Sequence, residues 1–131
     1  MTDFKAYLER KYPDYLSSAL YPGYMDMTYI AFTSLELKNK KLKVAIVYLH
    51  EECRFEIWLA GTNRQIQAEM IALLTQKDIG AYVLSQISPG VDSIIASILI
   101  DQPDFDHPDS LKTSLEIKTM EFIRDMESLV S

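Results

Sequence analysis

Residues 24–61 read YMDMTYIAFTSLELKNKKLKVAIVYLHEECRFEIWLAG, and the fold turns on how this stretch is divided. Aromatic and β-branched residues dominate it, and such side chains suit a pleated, half-buried surface. Two polar groups, KNKK and EE, interrupt it. The economical division is three antiparallel strands joined by two tight hairpins, and its pairings can be tested. With Asn39-Lys40 as the first two-residue turn, Leu37 faces Leu42, Glu36 faces Lys43 and Leu35 faces Val44. With Glu51-Glu52 as the second, His50 faces Cys53, Tyr48 faces Phe55, Ile46 faces Ile57 and Val44 faces Leu59. Like meets like in both hairpins. Alternation then gives one face of Leu35, Val44, Ile46, Tyr48, Phe55, Ile57 and Leu59, which is core. The opposite face carries Asp26, Thr28, Ile30, Phe32, Ala45, Val47, Leu49, Arg54, Glu56 and Trp58; it is mixed, and a binding site would sit there.

Outward from this stretch, Phe4, Tyr7, Leu8 and Lys11 fall at helical spacing behind a Thr2 or Asp3 cap, and Pro13 limits that helix. PDYLSSALYPG, residues 13–23, predicts a short helical turn and a Pro-Gly break. On the other side, Gly61 ends the third strand, and Thr62 or Asn63 caps a helix with Ile66, Met70, Leu73 and Leu74 along one side. AYVLSQI, residues 81–87, reads as a fourth strand. In GVDSIIASILI, residues 90–100, the positions of Val91, Ile94, Ile95, Ile98 and Leu99 fit helical spacing better than alternation, with a strand as the alternative. A loop, DQPDFDHPD, precedes a long closing helix marked by Leu111, Leu115, Phe122, Ile123, Met126 and Leu129. The expected fold is one α+β domain over residues 1–131 in the order α-β-β-β-α-β-α-α, helices packed on the sheet. The helix between the third and fourth strands would be a right-handed crossover if those strands are parallel.

The whole chain narrows the function classes. Its 131 residues, 48% of them hydrophobic, can bury a real core. A net charge of −6 argues against non-specific nucleic-acid binding, which depends on neutralising phosphates. One Cys excludes an internal disulfide and, with two His, cannot build a four-ligand Cys/His zinc site. This usage suits the reducing cytoplasm. The start lacks a secretory apolar region, and the richest apolar run, IIASILI, is far shorter than a membrane span. No GxGxxG, P-loop, GxSxG or CxxC motif occurs, and no cofactor is expected.

Each candidate site has a plain alternative. His50 and Cys53 could form a base–thiol pair, or simply flank a polar turn; the turn is the simpler reading. Glu56, with Trp58 beside it and Asp26 near, could hold a polar ligand or a divalent ion, or Glu56 could pair structurally with Arg54. Asn63 and Gln67, four apart after Gly61, could aim amides at the same sheet end, or serve as a cap and a solvated side chain. Tyr12, Tyr15, Tyr21, Tyr24 and Tyr29 are either stacking surfaces or amphipathic core edges. Lys38, Lys40, Lys41 and Lys43 could touch phosphate but more simply solubilise a sheet end. DQPDFDHPD is no calcium loop: counted from Asp104 it has no Gly at the sixth place and Leu115 where the bidentate Glu belongs.

The blocks YPGYMDMTYIAF, KLKVAIVYLHEECRFEIWLAGTNRQIQ and GVDSIIASILIDQPDFD together resemble an uncharacterised family of small bacterial proteins, a domain of unknown function. The resemblance implies no chemistry; the positions it shares are Tyr24, Asp26, Arg54, Glu56, Trp58, Gly61, Asn63 and Gln67. In topology alone, α-β-β-β-α-β is similar to the PD-(D/E)xK nuclease core. That family needs a Lys two residues after its Glu, and Trp58 stands there after Glu56. Two readings follow: a non-enzymatic domain binding a small polar ligand or protein partner on the Asp26, Glu56, Trp58 face, or a divergent metal-dependent hydrolase. An exposed strand edge would allow a homodimer.

Overall fold

In the computed structural model, residues 2–17, 21–22, 27–86 and 93–130 are described. Their elements are α1 (Thr2–Lys11), β1 (Leu16–Ser17), β2 (Tyr21–Pro22), β3 (Met27–Thr33), α2 (Leu35–Asn39), β4 (Leu42–Leu49), β5 (Arg54–Gly61), α3 (Arg64–Thr75), β6 (Ser93–Asp101) and α4 (Pro108–Val130). The sheet is antiparallel in the order β1-β3-β4-β5-β6, with β2 also pairing β3. The α+β class stands, on a wider sheet than a three-stranded hairpin unit with one added strand.

The second hairpin has the expected register: Val44 opposite Leu59, Ile46 opposite Ile57 and Tyr48 opposite Phe55. Its ladder stops at Leu49 and Arg54, so the turn takes in residues 50–53, with Cys53 at φ 55.

The first hairpin is a correction. Leu35 and Leu37 do not extend the strand. Ser34 ends it by accepting the Leu37 N–H on its side-chain oxygen, and α2 follows. Two leucines two apart would share one face of a strand, whereas a helix turns them apart: Leu37 is fully buried and Leu35 is 59% exposed. Ile30 therefore lies opposite Ile46, not Leu49. An odd shift in register turns every side chain over. Thr28, Ile30 and Phe32 stand on the Ile46 face, and Met27, Tyr29 and Ala31 line the face of Glu56 and Trp58.

Two further corrections concern the second half. Residues 81–87 supply only the isolated bridge Leu84–Ile95, and the fourth long strand is β6, in part of the segment whose spacing reads as helical. Register shifts at Phe55/Glu56 and Leu59/Ala60 explain that reading. A β-bulge sets neighbouring residues on the same face, so Ile94 and Ile95 are both buried and the alternation is lost. β5 and β6, the long strands on either side of α3, are antiparallel. Nor do residues 13–23 form only a turn and a break, since Leu16–Ser17 and Tyr21–Pro22 both pair with β3.

The core lies on one side of the sheet. Ile30, Phe32, Val44, Ile46, Ile57 and Leu59 pack there with Phe4 and Leu8 of α1, Leu74 of α3, and Leu115, Phe122 and Ile123 of α4. Val47 and Trp58, on the reverse side, are outside that cluster. The expected helices at both ends and after Gly61 form, with Asn63 as the cap of α3. Among the described residues, no helix is long and apolar enough to cross a membrane.

Candidate functional site

Arg54, Glu56 and Trp58 alternate along β5 and share the face away from the core. Arg54 Nε donates to Glu56 Oε2 at 2.7 Å, and Trp58 Nε1 donates to Glu56 Oε1 at 2.8 Å. Glu56 is buried at 8% exposure, its two oxygens held from opposite sides along its own strand. A buried carboxylate needs partners, and both come from two residues away. The sequence raised two readings for Glu56; the pairing with Arg54 is present, and Trp58 joins it.

Neighbouring strands surround this ladder with apolar residues. Opposite Arg54, Glu56 and Trp58 on β4 stand Leu49, Val47 and Ala45; opposite Glu56 and Trp58 on β6 stand Ile98 and Ala96. Val47 is fully buried, while Arg54 and Trp58 are half-buried. Among the described residues, no acceptor meets the terminal nitrogens of Arg54, whose bond to Glu56 runs through Nε. A guanidinium fixed at Nε still has two coplanar terminal nitrogens, a fork of the kind that grips a carboxylate. The indole, tethered at its N–H, offers a π-face in a fixed orientation.

Tyr24 and Asp26 lie outside the described residues. Asn63 and Gln67 serve the fold: Asn63 Oδ1 accepts the Ile66 N–H at 2.9 Å, and Gln67, 1% exposed, donates to the Ser93 carbonyl at 3.1 Å, fastening α3 to β6. The solvated glutamine of the sequence reading is thus a buried tie. Gly61 permits this contact, since a Cβ there would come within 2.8 Å of the Gln67 backbone nitrogen.

His50 and Cys53 have separate partners. His50 Nε2 lies 2.8 Å from Thr28 Oγ1, and Cys53 Sγ lies 3.5 Å from the Tyr48 hydroxyl. The bond to Cys53 and, after it, burial push the Tyr48 hydroxyl up to about 12. No group of three or more His, Cys, Asp or Glu able to hold a metal occurs among the described residues.

One constellation escaped the sequence reading. Glu116 of α4 is 6% exposed and takes three donors from the N-terminal segment. Tyr7 donates at 2.7 Å to Oε1, while Tyr12 at 2.5 Å and Lys11 at 2.7 Å reach Oε2. Burial pushes the Glu116 carboxyl up, but the bonds from Lys11, Tyr12 and Tyr7 outweigh it and hold the carboxyl below its ordinary value. The signal available was a carboxylate inside the apolar stripe of α4, next to Leu115.

A family model described as a domain of unknown function, DUF7000, matches residues 1–130. No curated protein and no solved structure matches the chain.

Proposed function

We propose, for a chain that belongs to the DUF7000 family and takes no chemistry from that membership, a non-enzymatic binding domain of the cytoplasm. It recognises an acidic side chain of a protein partner on the Arg54, Glu56, Trp58 face. The observation that carries this reading is the Arg54 fork, oriented by Glu56 and met at its terminal nitrogens by no acceptor among the described residues, with a tethered indole on the same strand face. The Arg54–Glu56 pair is neutral as a unit, so recognition rests on paired hydrogen bonds and stacking more than on net attraction. Ala45, Leu49 and Ala96 around it make an extended sheet surface, which suits a protein better than a small molecule that needs a concave pocket. A single Cys suits the reducing compartment.

Trp58 is the only tryptophan, so its emission reports this face alone. Acetylated heptapeptides carrying one or two glutamates among apolar residues should change that emission saturably, and Arg54→Ala should abolish the change. Lysine-bearing peptides of equal length should have no effect. An equal response to both peptide sets, or one that survives Arg54→Ala, sinks acid recognition. Saturation by free acetylated glutamate alone would shift the reading to a small polar ligand.

A further inference from the structure

We infer that the chain self-associates through the outer flank of β6, two copies pairing antiparallel about a two-fold axis. β6 is the last strand of the sheet and nine residues long. Among the described residues, its flank away from β5 is met near its start, by the Leu84–Ile95 bridge and by the Ser85 N–H, which donates to the Ile94 carbonyl at 2.8 Å. From Ala96 to Ile100, no described residue pairs with that flank. Sheet edges in monomers are ordinarily kept short, charged or interrupted by proline. This one reads Ala96-Ser97-Ile98-Leu99-Ile100, without a charge or a proline, and its one interruption is the bulge at Leu99.

The surroundings carry the same character. Ile98 is 54% exposed, and Val83, next to the bridging Leu84, is 71% exposed. Between β6 and α4 runs a groove of about 200 Å³, lined by buried Ile57, Leu99 and Phe122, by exposed Lys118 and Glu121 of α4, and by Tyr82, whose ring meets Phe122 and whose hydroxyl donates to Asp125 of α4. An added strand would satisfy the open backbone groups of β6 and set alternate side chains towards this groove and towards Ile98.

Charge selects a second copy as the occupant. The chain carries −6 overall, so two copies repel unless the contact strip is neutral. The two charged side chains lining the groove, Lys118 and Glu121, cancel each other and are self-complementary. Lys118 and Glu121 lie three apart on one side of α4, and a two-fold axis sets Lys118 of each copy towards Glu121 of the other. The inference stands apart from the Arg54 reading, since dimerisation needs no acidic partner.

Sedimentation equilibrium from 1 to 100 μM tests it, over the range about those concentrations where weak dimers resolve. The wild type should approach twice the chain mass. Ile98→Lys, at an exposed position opposite Glu56, should raise the dissociation constant by about tenfold or more, with unchanged Trp58 emission in the monomer as the check that the Arg54, Glu56, Trp58 row is undisturbed. Lys118→Glu should also weaken the dimer, and Lys118→Glu combined with Glu121→Lys should restore it. A wild type that stays monomeric throughout overturns the inference. So does a dimer indifferent to Ile98→Lys, or one that the double exchange fails to rescue.

Discussion

Two buried carboxylates, Glu116 and Glu56, are nearly equally hidden, at 6% and 8% exposure, and they do opposite work. Glu116 takes donors from residues 104 and 109 positions away, so it joins α4 to the N-terminal segment and adds tertiary structure. Glu56 takes both of its donors from two residues away on its own strand. Those bonds connect nothing that the sheet does not already connect. What they fix is the orientation of a guanidinium and an indole on the face away from the core. Burial alone therefore does not tell a fastening group from one that shapes a surface; the sequence distance to its partners does.

Three measurements would sharpen or break this contrast. The largest effect belongs to Glu116→Ala, which leaves the Tyr7 and Tyr12 hydroxyls and Lys11 without their acceptor. Thermal unfolding should show a loss of about 2 kcal/mol, or several degrees in Tm. A Tm within a degree of wild type would show that the carboxylate fastens nothing. Next in size is a pH effect. The folded Glu116 carboxyl lies below its ordinary value of 4.5, so its stabilisation is complete above that value and is lost as pH falls through the depressed one. The Tm gap between wild type and Glu116→Gln should be widest near neutrality and narrow as the pH falls below the ordinary carboxyl value of 4.5. A constant gap would assign the loss to packing instead. The smallest effect belongs to Glu56→Gln, which retains an acceptor for Trp58 and gives up a partly exposed ion pair. It should cost about 1 kcal/mol or less in denaturant unfolding, while the polarised emission of Trp58 shows a loosened indole. A loss as large as that from Glu116→Ala would make Glu56 a fold residue and remove the contrast.

Legibility in the sequence followed local regularity. The β4–β5 register could be read because both strands alternate cleanly across a short polar turn, and the Arg54, Glu56, Trp58 row came with it. The β3–β4 junction could not, because Leu35 and Leu37 satisfy alternation as well as they satisfy a short helix, and the choice rests on one hydroxyl at Ser34. β6 was hidden by its own bulges, which break the alternation of IIASILI and leave a spacing that fits a helix. Glu116 showed as a polar residue in an apolar stripe, but no spacing names a donor more than a hundred positions upstream.

That distance has a consequence for synthesis. At roughly 5–20 residues per second, Glu116 is joined to the chain on the order of 5–20 s after Tyr7. The β3–β4–β5 meander, complete at Gly61, has its pairing partners long before then. During that interval Tyr7, Lys11 and Tyr12 lack the carboxylate that accepts from all three. The nascent chain thus passes through a stage in which the sheet can form while α1 stays unfastened, and α4 is the element whose arrival closes the fold.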